Sequence, residues 1–321
     1  MELRDSSLSR RMACALVCLA VAGFVAVLAA SFLPLHPFAL VEHFRLQLAI
    51  GGAAVAAAAG ALALGAAWID ARWFDAAMFA LLLDACVLVP DLASARRAAA
   101  DGAPVRVLVV NVLRSSMHHE EVRRLIADEA PDVIGLVEPD ARWLRELAPV
   151  LAAYPSRIEA PRNDNFGMAL YARGPLAGGV EHLAVRVPAI VAEASIGGAR
   201  LGIVLVHPVP PVNGEMLDDQ LRHFDAVAAR VRGLSAPFLI MGDFNAAPWS
   251  RAFARLRGGA GACDTRAGFG AQTSWPSDGW LLRIPIDHML VSCAIGVRDR
   301  RIGPAVGSDH LPVIAELVLP R

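Results

Sequence analysis

"FLIMGDFNAAPWS", residues 238–250, runs four apolar residues into a glycine and then places Asp243 and Asn245 two positions apart. The apolar run is too short for a buried helix and reads as a strand buried on both faces, closed by a polar loop. In extended backbone, residues i and i+2 point to the same side, so the acid and the amide can address one ligand. A turn with some charge is the plain reading of this stretch alone, and its neighbours decide between the two.

Upstream, "GEMLDDQLRHFDAVAARVRGL" (214–234) has the apolar spacing of a long amphipathic helix ending near Gly233. Four short apolar segments precede it: "FGMALYAR" (166–173), "VEHLAVRV" (180–187), "AIVAEASI" (189–196) and "RLGIVLVH" (200–207). Gly and Pro turns join them without room for helices, so antiparallel hairpins are predicted. Earlier still, "VRVLVVNVL" (105–113) reads as a strand, "EEVRRLIADEA" (120–130) as a helix, "DVIGLVEP" (132–139) as a second strand and residues 140–151 as a helix. "PIDHMLVS" (285–292) and "PVIAELVL" (312–319) supply the last strands. Helical crossovers at the start and hairpins in the middle predict mixed sheets with helices outside, an α/β sandwich.

Residues 1–91 have a different texture. Of the 321 residues 56% are hydrophobic, and mean hydropathy is +0.48, more apolar than a soluble chain requires. The excess lies in stretches 12–33, 46–68 and 74–90, each long enough as a helix to cross about 30 Å of hydrocarbon. Arg10, Arg11 and "AVLAAS" would suit a cleaved signal peptide, but two further apolar stretches favour a membrane anchor. The Ala- and Gly-rich second stretch would also suit a soluble core helix, although small residues favour close helix packing in lipid. The chain has no lysine, so orientation rests on arginines. Arg4, Arg10, Arg11 and Arg72 on one side stand against Arg45, Arg96 and Arg97 on the other. The N-terminus is then on the cytoplasmic side, and three spans put residues from about 92 onward on the extracytoplasmic side. Asp84, within the third stretch, is expected to serve as a helix-packing partner or to sit at the interface. The organisation expected is an anchor over 1–91, a linker over 92–104 and a soluble domain over 105–321. Only Cys263 and Cys293 lie outside the apolar stretches, and a disulfide between them is one option in an oxidising compartment. No Cys/His spacing points to zinc.

Chemistry gathers where the strands end. Asn111 closes the first, Glu138 the second, His207 the strand before the long helix and Asp243 the next, while Ser308, Asp309 and His310 precede the last. One polar residue at a strand end is an ordinary turn or cap. Carboxylate and amide oxygens together suit a hard cation such as Mg²⁺, and two histidines can move protons or offset charge.

"VVNVL", "GLVEP", "LVHP", "MGDFNAAP", "IDHMLVS" and "GSDHLPV" occur in an order that resembles the endonuclease/exonuclease/phosphatase superfamily of metal-dependent phosphoesterases, over nearly all of 105–319. The resemblance implies a four-layer α-β-β-α sandwich with its site at one edge of two sheets. It also implies a cation, Mg²⁺ or alternatively Mn²⁺, on Glu138, Asn111 and Asp309. Asp243 would orient or deprotonate the attacking water, and Asn245 would hold a phosphate oxygen. His310 would stand beside the scissile phosphate with Asp287 orienting it, and His207 would donate to the phosphate. Leu113 stands where some relatives carry an acid, and no acid partner for His207 can be placed in "RNDNFGMALYAR". Asn165, Thr273 and Trp275 are candidate pocket residues, each with a turn or packing role as the alternative. His118, His119, His182, His223 and His288 read as surface or packing residues.

From Ala103 onward 23 arginines balance 23 acids, so no basic face for a nucleic-acid backbone is required. Three spans followed by such a domain resemble a membrane-bound bacterial branch that includes glycopeptide-resistance-associated proteins. That implies the lipid bilayer as partner and a lipid-linked or small phosphate ester as substrate. A tethered nuclease and a non-catalytic module are the alternatives.

Overall fold

The computed structural model describes residues 2–33, 35–66, 70–96, 102–235 and 237–320, with backbone alone for 2–10 and 65–66. The chain forms two compact units, Met1–Asp91 and Leu92–Arg321. In the first, α1 (Glu2–Ser31), α2 (Phe38–Glu42), α3 (Arg45–Ala66) and α4 (Ala71–Leu92) are helical. Three stretches, Arg11–Ser31, Arg45–Leu64 and Ala71–Leu92, are long and apolar enough to cross a membrane. Residues 67–68, assigned to the second apolar stretch, and Arg97, used in the orientation argument, lie outside the described residues. Val21 of α1, Ala56 and Ala59 of α3 and Ala77 of α4 pack together, the small side chains letting the helices approach. Asp84 is buried and accepts a hydrogen bond from Arg45 at 3.0 Å. That pairing withdraws Arg45 from the arginine count behind the orientation argument, because a paired, buried guanidinium is not a loop charge.

The second unit contains two six-stranded sheets. The first has β1 (Gly102–Asn111), β2 (Val133–Val137), β3 (Ser156–Ala160), β4 (Met168–Ala172), β11 (Gly296–Ile302) and β12 (Val313–Pro320), in the order β11-β12-β1-β2-β4-β3. The second has β5 (Leu176–Glu181), β6 (Ala189–Ile196), β7 (Ala199–Val206), β8 (Phe238–Asp243), β9 (Ala262–Asp264) and β10 (Asp287–Ser292), in the order β5-β6-β7-β8-β10-β9. Both sheets are mixed: β1 pairs parallel with β2, and β7 with β8. Between them lies one apolar core including Val109, Val137, Leu205, Met241, Met289 and Val313. Helices α5 (His119–Glu129) and α6 (Ala141–Leu151) cover the outer face of the first sheet through Val122, Ile126, Trp143 and Leu147. Helices α7 (Gly214–Arg232) and α8 (Arg251–Ala260) cover the second through Phe224, Val227, Phe253 and Leu256. The result is the four-layer α-β-β-α sandwich.

Local sequence sets the helix starts. Asp140, Asn213 and Ser250 each accept a hydrogen bond from the backbone N–H three residues on, capping α6, α7 and α8. One predicted strand is displaced: β5 spans Leu176–Glu181, and residues 182–187 of "VEHLAVRV" form loop instead. Glu181 pairs with Ala189, so these residues form the connection between β5 and β6, with His182, Ala184 and Arg186 exposed and Leu183 and Val187 turned inward. Cys263 of β9 and Cys293, just after β10, form a disulfide, closing the edge of the second sheet.

Candidate active site

Sheet topology gathers the polar strand ends at one edge. Parallel pairing brings the carboxyl ends of β1 and β2 together, and likewise those of β7 and β8. Antiparallel β12 begins beside the end of β1, and antiparallel β10 begins with Asp287 directly opposite Asp243. Gly242 makes the last step of β8 possible. Its φ is +142°, and a Cβ there would fall 1.9 Å from the Val206 carbonyl oxygen, so only glycine fits the approach.

Asp243 is the focus. Its Oδ1 accepts the Asn245 backbone N–H at 2.9 Å. Its Oδ2 accepts the Asn111 amide at 3.2 Å and stands 3.5 Å from His207 Nε2 and 3.6 Å from His310 Nε2. Those two longer separations are ion-pair distances rather than hydrogen bonds. His310 Nδ1 meets Asp287 Oδ2 at 2.9 Å, which aims Nε2 at the Asp243 carboxylate. Asp287 is fixed in turn: its backbone N–H and that of Ile286 both donate to Ser274 Oγ at 3.3 Å.

The electrostatics follow from burial and proximity. Burial works against a charged His310, but Asp287 and Asp243 outweigh it and push the imidazole up to about 10. Burial raises the Asp287 carboxyl, and the His310 charge and hydrogen bond more than reverse this, leaving it below the usual range. Asp243 goes the other way: burial raises it, Asp287 adds to the rise, and His310 and His207 only partly oppose it. Two facing carboxylates thus differ in proton affinity, the pattern that separates an acid–base pair from a neighbouring proton acceptor.

On the other flank, Asn111 also donates to Glu138 Oε1 at 3.0 Å and fixes its own oxygen by accepting the Leu113 N–H at 3.0 Å. Glu138 is buried with φ +64°, and its N–H donates to Gly167 at 2.9 Å. Gly167 is required there, because a Cβ would sit 2.0 Å from the Pro139 carbonyl oxygen. Left-handed backbone at Glu138, and at Asn245 with φ +49°, is the kind of strain that surrounding bonds must hold in place. Among the described residues the Glu138 oxygens meet only neutral N–H donors, the Asn111 amide and, at 3.5 Å, the Arg114 backbone, a setting that fits a hard divalent cation. Asp243, Asp287 and His310 also bring possible ligand atoms within 4.8 Å of one another, but the short Asp287–His310 bond favours the proton-holding role for that group.

The remaining candidates are distributed around this centre. Asp309 Oδ2 accepts the Trp275 indole N–H at 3.1 Å, and among the described residues Asp309 makes no hydrogen bond to Glu138 or Asn111. Asn245 Nδ2 donates to the Pro208 carbonyl at 3.0 Å, and a carboxamide nitrogen carries a second N–H. His207 packs its ring 5.4 Å from Phe166, and among the described residues its buried Nδ1 has no hydrogen-bond partner, so no acid sits behind the ring as Asp287 does behind His310. Asn165 accepts from Arg114 on the exposed rim at 3.4 Å. Thr273 is half-buried in the loop before Trp275. His288 turns away from Asp287, bonds the Ala246 carbonyl and packs on Phe244 and Phe253. His119 packs on Trp143 and His223 is buried, while His118 and His182 are exposed.

Two residues to which the sequence assigns no role prove structural to the site. Ser308 Oγ donates to the Asn111 carbonyl at 2.7 Å and accepts the His310 N–H at 3.1 Å, tying the start of β12 to the end of β1. Gln220 of α7 is fully buried, and its amide nitrogen lies 3.0 Å from Asn245 O, 3.2 Å from Phe244 O and 3.4 Å from Val209 O. It joins the loops after β7 and β8. A polar side chain on the buried stripe of an amphipathic helix was the available signal.

Several solved structures are similar to this chain. A humanized D. rerio TDP2 with 14 mutations has 14% identity and a TM-score of 0.57, covering 67% of this chain and 98% of that one. An endonuclease/exonuclease/phosphatase family protein from Bacteroides thetaiotaomicron has 15% identity and a TM-score of 0.55, covering 69% and 100%. The endonuclease/exonuclease/phosphatase from Beutenbergia cavernae DSM 12333 has 18% identity and a TM-score of 0.53, covering 70% and 72%. Identities this low speak to the fold alone. No curated protein matches the sequence. The model of the endonuclease/exonuclease/phosphatase family matches residues 108–310, and members of that family are hydrolases acting on phosphodiester bonds. Because that stretch runs from within β1 to His310 and takes in every strand-end residue described above, the chain belongs to the endonuclease/exonuclease/phosphatase family.

Proposed function

We propose that this chain is a membrane-anchored, divalent-metal-dependent phosphoesterase that hydrolyses a lipid-linked or small phosphate ester by direct in-line attack of water. The observation that carries the reading is the convergence of Asn111, His207 and His310 on one oxygen of Asp243, with Asp287 holding His310 from behind.

Asp243, with its raised proton affinity, would orient the attacking water and take its proton. His310 would present an Nε2–H to a phosphoryl oxygen while Asp287 fixes the imidazole and supports its positive charge. The Asn245 amide and the Nε2 of His207 would donate to the remaining oxygens. Mg²⁺, or Mn²⁺, held by Glu138 and Asn111 with Asp309 on the same side, would supply Lewis-acid stabilisation of the phosphate charge. Water attack without a side-chain nucleophile releases an alcohol and a phosphate and forms no covalent enzyme intermediate.

Three helices long and apolar enough to span a bilayer support anchoring. The Cys263–Cys293 disulfide supports placing the catalytic unit on the extracytoplasmic side of a bacterial inner membrane, since such bonds persist in oxidising compartments. Equal numbers of arginines and acids from Ala103 onward favour a small or lipid-borne ester over a polynucleotide. The test is a panel of phosphomonoesters, diesters, lipid pyrophosphates and nucleic acids, assayed with the full chain, with and without Mg²⁺, against His310→Ala. Metal-dependent turnover of a lipid or small ester, lost in the variant, is expected. No turnover above the variant across the panel refutes the enzyme, and turnover of nucleic acid alone refutes the substrate class.

A further inference from the structure

Among the described residues from 92 onward, six large apolar side chains are exposed: Met117, Val180, Val212, Trp280, Leu281 and Leu282. Five of them sit on three loops that leave the catalytic edge. Met117 (66% exposed) follows β1 and its Asn111, and Val212 (52%) follows β7 and His207. Trp280, Leu281 and Leu282 (76, 65 and 60%) form the tip of the loop that leads into β10 and Asp287. Scattered exposed apolar residues are ordinary, but a group on one edge marks a contact surface.

The tip is built to project. Its neck is closed by a bridge between Trp275 and Ile284, and Arg283 binds the Pro276 and Ser277 carbonyls. At its base, Ser277 N–H donates to Asp309 O and Ser277 Oγ donates to Ser308 O, both at 2.7 Å. Across the same turn, Ser116 of the Met117 loop donates to Gly307 O at 2.8 Å. The Met117 and Trp280 loops therefore flank the turn that carries His310. A loop ordered in advance loses little conformational freedom on insertion, and an indole beside leucines suits the boundary between headgroups and acyl chains.

We propose that this apolar rim docks on a lipid bilayer surface, with Trp280, Leu281 and Leu282 immersed, so that the catalytic edge meets phosphate esters borne by lipid. The proposal rests on the membrane-anchored reading above. The chain itself brings the occupant within reach: residues 93–101 are all that separates the end of α4 from the start of β1, a length that extends to about 30 Å at most. The absence of lysine and the balanced charge from Ala103 onward favour an apolar contact over a polyanionic one.

The test uses the full chain in phosphatidylcholine/phosphatidylglycerol nanodiscs, some made with lipid brominated on its acyl chains. The fluorescence present in wild type and missing from Trp280→Phe reports Trp280. Quenching of that component by brominated lipid, with shielding from aqueous iodide, is expected. A Leu281→Ser/Leu282→Ser variant, which retains Trp280, should weaken the lipid quenching. It should also lower the ratio of activity on a bilayer-embedded ester to activity on a water-soluble one by about tenfold or more. A Trp280 component open to iodide and insensitive to brominated lipid overturns the docking. Hydrolysis with Trp280 in water refutes the docking alone, whereas immersed Trp280 with no hydrolysis of any ester refutes the catalytic reading alone.

Discussion

Replacing Gln220 with leucine tests whether α7 holds the catalytic loops in register. The Gln220 amide serves the carbonyls of Asn245, Phe244 and Val209 at 3.0, 3.2 and 3.4 Å, and its two N–H groups can satisfy two of the three at once. Leucine leaves two carbonyls without that donor, each costing about 1–3 kcal/mol. Part of this is offset, because Gln220 Oε1 is itself buried with no hydrogen-bond partner among the described residues. A net loss of about 2–3 kcal/mol corresponds to about 5–10 °C in Tm for a unit of this size. Catalysis should suffer separately. Asn245, at φ +49°, loses one of the bonds that hold its backbone, and a misplacement of about 1 Å costs on the order of 10²-fold in rate. Turnover of a phosphate ester well below the new Tm should therefore fall about 30- to 100-fold. Val227→Ala, on the same buried face of α7, is the control, costing comparable stability without touching a catalytic carbonyl. If Gln220→Leu melts as low as Val227→Ala and keeps full kcat, the clamp is merely structural and the reasoning fails.

Asp287→Asn preserves shape but removes the charge that helps hold His310 near pKa 10; kcat should fall about 10³- to 10⁴-fold, by analogy with the acid of a catalytic triad, and a loss under tenfold would remove Asp287 from its role. Burial, with the His207 charge adding, depresses His223 to about 4, and burial first, helped by Arg300 and Arg266, depresses His288 to about 4. Both stay neutral in the folded state while the unfolded chain begins to protonate below about 6.5, so stability is full above that pH and is lost as pH falls toward 4. Between pH 7.5 and pH 5 each should cost roughly 2 kcal/mol, read as a falling urea midpoint that is blunted in His223→Gln; an unchanged slope in that variant counts against the assignment. Cys263→Ser with Cys293→Ser opens a link across a sequence separation of 30, which should destabilise the catalytic unit by about 4 kcal/mol on the chain-entropy account. Calorimetry with and without the pair checks it, and equal melts would show that β9 is held by other contacts.

Much of the sandwich could be read directly because its strands are short apolar runs closed by Gly, Pro or a polar residue. β8 and β10 announce themselves in "FLIMG" and "IDHMLVS". Other elements carry no such mark. β11, "GVRDRRI", is a charged edge strand whose place is decided by pairing with β12, and α8, "RAFARLRGGA", is too short and too rich in Arg and Gly to stand out. Residues 182–187 have strand-like spacing yet remain loop, because the pairing of Glu181 with Ala189 makes them the connection between β5 and β6.

The strand ends in the sequence were enough to bring Asn111, Glu138, His207, Asp243, Asn245, Asp309 and His310 together as a set, and the family resemblance added Asp287 and an expected division of roles. What sequence alone could not supply is the geometry and electrostatics among them. The folded edge puts Asp287 behind His310, surrounds one oxygen of Asp243 with Asn111 and both histidines, turns Asp309 to Trp275, and leaves His207 Nδ1 without a hydrogen-bond partner among the described residues. The physical reason is range. Strand periodicity and turn chemistry are written into neighbouring residues, whereas proton affinity depends on burial and on charges brought together from strands far apart in the chain.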